Sequence, residues 1–141
     1  MKVENCAYCM KNELLEKFGH IAFETENSLV IVFKDQTKPG RMIVAFKEHV
    51  SEIQYLEKEI KDAFMDDVTK VAKAIQKAFN PDRINYGAFG DTGGHLHMHL
   101  VPKYKDLPEW GGMFTMNTGI LASEEVCEEV AQQITKAYQE L

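Results

Sequence analysis

Three histidines at alternate positions are the feature of this sequence that most restricts its fold. His95, His97 and His99 are separated by single apolar residues in the run GGHLHMHLVPK. Since successive side chains of a β-strand point to opposite faces, an extended segment places all three imidazoles on one face and Leu96 and Met98 on the other. A helix would spread the imidazoles around its circumference, and paired glycines are poor helix formers. The pattern therefore predicts a strand with a packed face and a face of three imidazoles.

The length and composition predict one domain that spans residues 1–141. The chain is 45% hydrophobic and 27% charged, which suits a globular protein with a substantial core. Its net charge of −6 argues against non-specific binding to nucleic acid or to an anionic membrane, but not against a small phosphorylated ligand. We see no apolar run of membrane-spanning length and no signal-peptide character at the N-terminus, so we expect a cytoplasmic protein.

The three cysteines indicate a metal site more readily than disulfides. Their number is odd, and Cys6 and Cys9 form a C-x-x-C pair that places two thiolates on one turn. Such a pair suits tetrahedral Zn²⁺, but it is half of a site, and two unliganded thiols remain an alternative. Cys127 falls beside an apolar helical stripe, where we expect a buried hydrophobic side chain.

The remaining pattern alternates between strands and helices. We predict strands at 20–24, 29–33, 41–46 and 83–89, and helices at 11–18, at 57–79 and from Ser123 onward. The apolar residues of the helix at 57–79 recur every three or four positions, so this helix covers a sheet. The strand at 83–89 and the histidine strand can form an antiparallel hairpin. Trp110, between a proline and two glycines, is either a packing residue or a lid over a ligand.

Three kinds of chemistry fit the alternating histidines. All three can bind one metal ion with an open coordination position, one imidazole can act as a nucleophile, or all can be structural. A structural Zn²⁺ needs four protein ligands, and His49 and His95 can complete the set begun by Cys6 and Cys9. His97 and His99 then stay free. In that arrangement the Gly90–Gly94 loop, including Gly93, supplies backbone N–H groups for a phosphate.

The histidine run resembles the signature of the histidine triad (HIT) superfamily of nucleotide hydrolases and transferases, which is His-φ-His-φ-His-φ-φ. The C-x-x-C pair, the Lys-x-His at residues 47–49, the long helix and the strand order also follow that family, so the resemblance covers most of the chain. It implies an α+β fold with a five-stranded antiparallel sheet, one long helix and a C-terminal helix. It also implies a homodimer that binds a purine nucleotide.

The resemblance implies a role for each residue that matches the family pattern. His97 is the implied nucleophile that attacks the α-phosphorus, and His99 contacts the phosphate or the leaving group. The implied ligands of a structural zinc ion are Cys6, Cys9, His49 and His95. The implied substrate contacts are those of Asp35 to the ribose hydroxyls and of Asn85 and Thr92 to the phosphate or leaving group.

These roles together predict a nucleotide phosphohydrolase. We expect it to cleave dinucleoside polyphosphates or nucleoside phosphoramidates through a nucleotidyl-histidine intermediate. The alternatives are a nucleotidyltransferase, a zinc-stabilised nucleotide-binding module with little catalysis, and a zinc hydrolase that uses the three histidines as ligands. Two residues depart from the family pattern: Arg41 replaces a histidine found in many members and is a candidate phosphate ligand, and Asp91 places an acidic group near the phosphate loop.

Overall fold

The computed structural model describes residues 2–141 and is built around one five-stranded antiparallel sheet. The strands lie in the order β1-β2-β3-β5-β4, with bounds β1 Gly19–Glu24, β2 Ser28–Phe33, β3 Met42–Phe46, β4 Arg83–Gly87 and β5 His97–Lys103. The helices of the described residues are α1 Ala7–Met10, α2 Glu13–Glu16, a 3-10 helix Ile53–Tyr55, α3 Lys58–Phe79 and α4 Glu124–Gln139. The predicted α+β fold is confirmed. In the part of the chain described, no helix is both long and apolar enough to cross a membrane.

The two faces of the sheet are buried by different parts of the chain. One face packs on α3 and α4, and its core includes Val30, Val44, Phe64, Leu100 and Ile134, each fully or almost fully buried. The stripe of apolar residues predicted for α3 therefore covers the sheet as expected. The opposite face packs on the N-terminal turns, and its apolar residues are Cys6, Tyr8, Cys9, Leu15, Leu29, Ile31, Phe33, Ile43 and Ala45.

The histidine strand β5 lies inside the sheet, between β3 and β4. His97 is opposite Ala45 of β3, and His99 is opposite both Ile43 of β3 and Gly87 of β4. Since residues directly opposite each other in antiparallel strands share a face, the imidazoles of β5 lie on the face that the N-terminal turns cover. The sheet therefore brings the histidines next to the C-x-x-C turn.

The N-terminal side of β5 differs from the prediction, because the strand begins at His97 and leaves His95 outside it. The backbone there still pairs: Phe46 N–H donates to Leu96 O at 3.0 Å, and Leu96 N–H donates to Val50 O at 2.7 Å. The backbone therefore remains hydrogen-bonded to neighbouring segments while it leaves the regular ladder. Leu96 remains in the core on the helix side, and His95 points to the other side, as the alternation requires.

The helix predicted at 11–18 is also different, since α1 and α2 are single turns separated by Lys11 in the left-handed conformation (φ 52°). The Asn12 side chain accepts a hydrogen bond from Leu14 N and caps α2. Gly19 is the first residue of β1 and not a helix cap. A Cβ at this position would lie 2.7 Å from Ile31 Cγ2, so close packing between the N-terminal turns and the sheet requires glycine here.

Candidate active site

A cluster of two thiols and two imidazoles joins the N-terminal turn to the sheet. Cys6 and Cys9 come from α1 and its N-cap, His49 follows β3, and His95 precedes β5. The possible ligand atoms of these four residues all lie within 4.8 Å of one another. Nδ1 of His95 is 3.3 Å from Cys6 Sγ and 3.2 Å from Nδ1 of His49, which is in turn 3.3 Å from Cys9 Sγ.

These distances fit four donors around one tetrahedral ion. For bonds of zinc length, the edges of the tetrahedron are about 3.6 Å between sulfur and nitrogen and about 3.3 Å between two nitrogens. Nε2 of His95 is 2.6 Å from the Phe46 carbonyl and donates to it, which leaves Nδ1 as the unprotonated nitrogen on the cluster side. Burial, more than the nearby imidazoles, lowers the pKa of His95 and favours this neutral form. The four residues could therefore hold a metal ion.

His97 lies next to this cluster but is not part of it. Its imidazole is 8% exposed and stacks on the Tyr8 ring, with 4.9 Å between ring centroids and an interplanar angle of 28°. Nδ1 is 2.7 Å from the backbone carbonyl of His95 and donates its proton there. In this tautomer Nε2 carries a lone pair. Burial lowers the pKa of His97, so the ring is neutral and able to act as a nucleophile.

His99 has the opposite tautomer. Arg41 Nη2 lies 3.4 Å from Nδ1 of His99, and since a guanidinium only donates, Nδ1 is the acceptor and Nε2 carries the proton. Burial is the main cause that lowers the pKa of His99 to about 3, followed by repulsion from His97 and Arg41. The ring is held edge-on to Phe33, Phe89 and His97. The two imidazoles therefore offer one nitrogen lone pair and one N–H donor side by side.

A cleft of about 430 Å³ opens above the two imidazoles. The loop before β5 lines one side through Thr92 and Gly93; a Cβ on Gly93 would lie 3.6 Å from Cε1 of His97. Much of the remaining wall is apolar or aromatic and comes from the N-terminal segment, the sheet and the loop after β4: Ala7, Tyr8, Phe18, Phe33, Ile43 and Phe89. The volume is within the range of small-molecule sites, and the apolar wall with a polar floor suits a planar base attached to a phosphate.

Comparison with known proteins identifies the family. The model of the HIT domain matches residues 15–106 of this chain. The chain belongs to the HIT family. Among curated proteins it is similar to Protein hit of Bacillus subtilis, with 25% identity over 138 residues and 94% of each chain covered. It is also similar to bis(5'-adenosyl)-triphosphatase of Dictyostelium discoideum, with 28% identity over 92 residues and 62% of each chain covered.

Solved HIT structures share the fold of this chain. A histidine triad protein from Sinorhizobium meliloti superposes with a TM-score of 0.81 at 22% identity, over 89% of this chain and 94% of that one. A second, from Marinobacter aquaeolei, gives 0.81 at 22% identity, over 92% and 96%. A Zn-bound histidine triad family protein from Mycobacterium smegmatis gives 0.66 at 17% identity, over 96% and 94%. At these identities the likeness concerns the fold alone.

Arg41 of this HIT protein, considered from the sequence as a phosphate ligand, is buried against the C-terminal segment. Nη1 and Nη2 donate to the backbone carbonyls of Thr115 at 3.1 Å and Met116 at 2.8 Å. The guanidinium lies 4.2 Å from the Phe33 ring centroid and 5.2 Å from that of Phe114. Burial lowers the pKa of Arg41 to about 10. Here the guanidinium orders the segment that crosses the cleft and orients His99; phosphate binding by Arg41 stays a prediction.

Asp35, expected to bind ribose, is also occupied by the protein itself. Oδ1 accepts from Thr37 N at 3.1 Å and from its hydroxyl at 2.6 Å, and Oδ2 accepts from Thr118 N at 2.6 Å and from its hydroxyl at 2.7 Å. Burial opposes ionisation of the carboxyl, but these four bonds outweigh it and lower the pKa. Ribose binding by Asp35 stays a prediction, and ribose hydroxyls would have to compete with Thr118.

The other expected contacts are divided between two places. Thr92 and Gly93 line the cleft with His97 and His99, whereas Asn85 lines a separate cavity beside Trp110. Trp110 is therefore not a lid over the histidines. No sequence pattern indicated two further cleft residues, Met116 and Asn117, because they lie in an irregular segment with no periodic pattern. Tyr8 had a weak signal, since it stands inside the C-x-x-C pair.

Proposed function

We propose that this protein is a nucleotide phosphohydrolase in which His97 Nε2 attacks the α-phosphorus of the substrate. The observation that carries the proposal is the hydrogen bond from His97 Nδ1 to the His95 carbonyl, because it leaves a neutral imidazole with its lone pair on Nε2 at the wall of the cleft. The Nε2–P bond forms while the bond from phosphorus to the leaving group breaks and its electron pair departs with that group. Water then attacks phosphorus, the Nε2–P bond breaks, and a nucleoside monophosphate is released.

The remaining residues stabilise charge on the phosphate. The Nε2–H of His99 donates to a phosphate oxygen, and the backbone N–H groups of the loop at Thr92 and Gly93 face the same region of the cleft. Without a ligand, burial lowers the pKa of His99 to about 3, so the ring is neutral and its Nε2–H is a hydrogen-bond donor. A nucleoside phosphate departs as an anion without a proton, whereas an amine requires one. Among the described residues, those that line the cleft include no carboxyl or ammonium group to supply that proton, so we place dinucleoside polyphosphates ahead of nucleoside phosphoramidates.

A relative with a named activity supports the same substrate class. The Dictyostelium protein, 28% identical over 92 residues, is a bis(5'-adenosyl)-triphosphatase. The apolar wall of the cleft suits a purine, and the floor of neutral imidazoles suits phosphate. A homodimer is part of the proposal, and sedimentation of the purified protein tests it independently of turnover.

We also propose that the ion held by Cys6, Cys9, His49 and His95 is a structural Zn²⁺. Two thiolates and two imidazoles form a closed tetrahedral donor set, which leaves no coordination position for substrate or water. When bound, the ion supplies folding free energy by tying the N-terminal turn to the sheet. His97 and His99 lie outside this donor set, so the proposed reaction uses imidazole chemistry and not a metal-activated water.

The experiment that tests the function measures release of AMP from diadenosine triphosphate and from an adenosine phosphoramidate. We expect turnover of the dinucleotide, faster than that of the phosphoramidate, and a loss of at least about 10³-fold in kcat for His97→Asn. The matched control is His20→Asn, which removes a surface imidazole paired with Glu128 (3.0 Å) and should leave kcat unchanged. Turnover retained by His97→Asn would overturn the nucleophile. No turnover combined with nucleotide binding would leave the binding module as the function.

A further inference from the structure

A second cavity, of about 350 Å³, lies on the same face of the sheet as the histidines, towards the far end of β5. It is lined by Arg83 and Asn85 of β4, Lys103 of β5 and the loop residues Trp110, Gly111 and Gly112. None of these residues lines the cleft above His97 and His99. The reaction proposed above does not use this cavity, so its side chains need another explanation.

Lys103 is a buried cation that has no anionic partner among the described residues. Its side chain belongs to a residue that is 3% exposed, and Nζ donates to the backbone carbonyls of Glu109 at 2.8 Å and Gly112 at 2.7 Å. Within residues 2–141 no carboxylate lies within 4 Å of this ammonium. Burial of a cation with carbonyl partners alone is costly, and an ammonium can donate a third hydrogen bond. A bound anion would compensate the charge.

Two more polar side chains of the cavity have donors available. Arg83 is exposed; its Nη1 donates to the Asp82 carbonyl at 2.7 Å, and the guanidinium pairs with no carboxylate in the described part of the chain. The Asn85 amide makes no hydrogen bond to any described residue. A guanidinium that is free to bind in a bidentate manner is a characteristic phosphate ligand. The cavity therefore offers donors of three different types to one anion.

The charge around the cavity is positive although the chain is acidic overall. Lys105 Nζ lies 6.0 Å from the centroid of the Trp110 ring and adds a third cation to Arg83 and Lys103. Three carboxylates are close in sequence: Glu109 pairs with Lys38 at 2.7 Å, Asp82 Oδ2 accepts from Lys105 N at 2.9 Å, and Asp106 follows Lys105. Together with Lys38, the four cations exceed these carboxylates by one. On a chain of net charge −6, such a local excess of cations favours an anionic ligand.

The loop holds Trp110 in a defined position next to these cations. Glu109 adopts a left-handed backbone (φ 74°), which is costly for a residue with a side chain, and Gly111 follows with φ 85°. Two buried lysines hold the loop at Glu109: Lys38 pairs with its carboxylate, and Lys103 donates a hydrogen bond to its backbone carbonyl. The Trp110 ring remains 40% exposed at the cavity. An exposed indole held in place beside cations is a stacking surface for a planar base.

Aromatic side chains separate this cavity from the histidine cleft. The rings of Phe89 and Phe114 lie over Gly87, the β4 residue opposite His99; a Cβ on Gly87 would be 2.6 Å from Phe89 and 3.5 Å from Phe114. The two rings also contact each other edge-on at 6.1 Å between centroids. The cavity is therefore a distinct site and not an extension of the cleft.

We propose that this cavity is a second binding site for a nucleotide, which stacks its base on Trp110 and places its phosphates on Arg83 and Lys103. The Asn85 amide and the backbone of the two glycines complete the hydrogen bonds. The shared chemistry of the ligand is a planar base joined to phosphate. A free nucleotide and the distal half of a dinucleotide both have this chemistry. The site does not depend on turnover at His97.

Trp110 is the only tryptophan of the chain, so tryptophan fluorescence reports on the surroundings of this residue. The experiment titrates ADP, inorganic tripolyphosphate, adenosine and diadenosine triphosphate into the His97→Asn protein, which binds without hydrolysis. We expect ADP to quench the fluorescence of Trp110 saturably and adenosine to quench it weakly. Tripolyphosphate should displace ADP while causing little quenching itself. Tighter binding of the dinucleotide than of ADP would identify a distal half as the ligand, and equal or weaker binding would identify a free nucleotide.

Two variants and one control make the test decisive. Arg83→Gln should weaken ADP binding about tenfold, because one charge-assisted contact to phosphate is lost. Lys73→Gln makes the same charge change on the exposed side of α3 and should have no effect. In calorimetry, where ADP also binds in the histidine cleft, Trp110→Leu should weaken one of two ADP sites and leave tripolyphosphate binding unchanged. The proposal is overturned by the absence of quenching, by equal effects of Arg83→Gln and Lys73→Gln, or by unchanged ADP affinity in Trp110→Leu. These results do not depend on the activity assay, which tests His97 separately.

Discussion

The Thr118→Val variant tests how strongly the C-terminal segment is bound to the sheet through Asp35. Valine keeps the shape of the side chain and the backbone N–H, so the variant loses the hydroxyl donor at 2.7 Å from Oδ2 and the weaker acceptor of Ile120 N at 3.3 Å. A hydrogen bond to a charged group contributes about 1.5–3 kcal/mol, and the exposure of Thr118 favours the lower end. We therefore expect a loss of about 1.5 kcal/mol in the free energy of unfolding. For a chain of this length the melting temperature should fall by about 5 °C.

The pH dependence of this effect follows from the lowered pKa of Asp35. A carboxyl whose pKa is lower in the folded state stabilises the protein above its unfolded pKa of about 3.9, and that stability is lost as the pH falls through the folded pKa. The difference between the wild type and Thr118→Val should thus be complete at pH 7 and shrink below about pH 4.

Urea denaturation at a series of pH values measures both effects. Thr69→Val is the matched control, because that exposed hydroxyl bonds to a carbonyl of its own helix at 3.2 Å and reaches no buried carboxylate. An equal loss in the two variants, or a difference that persists in acid, would refute the reasoning. The same Thr118→Val protein tests Asp35 as a ribose ligand. If the hydroxyl competes with ribose, nucleotide affinity should rise in Thr118→Val and fall in Asp35→Asn.

Three further predictions concern the metal cluster, a turn and the buried arginine. Cys6→Ser should lower both the zinc content and the melting temperature, since one of four ligands is lost; elemental analysis that finds a full equivalent of metal would contradict the proposed site. Gly40→Ala should lower the free energy of unfolding, measured by urea denaturation, by about 1–3 kcal/mol, because φ is 91° and the new Cβ would lie 2.9 Å from the Phe79 ring. The control Gly119→Ala, with φ 83° and no neighbour within 4 Å, should lower it less. Arg41→Met should speed hydrogen exchange in the segment that supplies its two carbonyl partners, by about 5-fold to 150-fold for a loss of about 1–3 kcal/mol; unchanged exchange would show that other contacts hold the segment.

The parts of the fold that follow from periodicity were predicted from the sequence. Alternation over His95–His99 identified the strand and the imidazole face, and the stripe of α3 identified the helix that covers the sheet. The four members of the metal cluster were inferred from residue type, because thiols and imidazoles have few other reasons to occur in such spacing. The start of β5 lies two residues after His95, the helix predicted at 11–18 is two single turns, and the strand predicted at 83–89 ends at Gly87.

The parts that depend on irregular segments were not predicted. The residues around 113–118 have no apolar period, so nothing in the sequence indicated that they would cross the cleft and bind Arg41 and Asp35. Pattern analysis also treats each residue as exposed or buried, and it did not anticipate a buried lysine such as Lys103, held by carbonyls. Such contacts join residues distant in sequence, and only the folded chain brings them together.

His95 performs two tasks with two different parts of one residue. Its ring faces the thiols through Nδ1, while its main-chain oxygen receives the proton of His97 and so selects which nitrogen of the neighbouring ring is free. If the proposed ion is bound, its extraction would release the ring, loosen the peptide unit behind it and misalign the nitrogen proposed to attack phosphorus. Sensitivity of turnover to a chelator would then be a remote effect of lost alignment, and it would not mean that the metal takes part in bond cleavage.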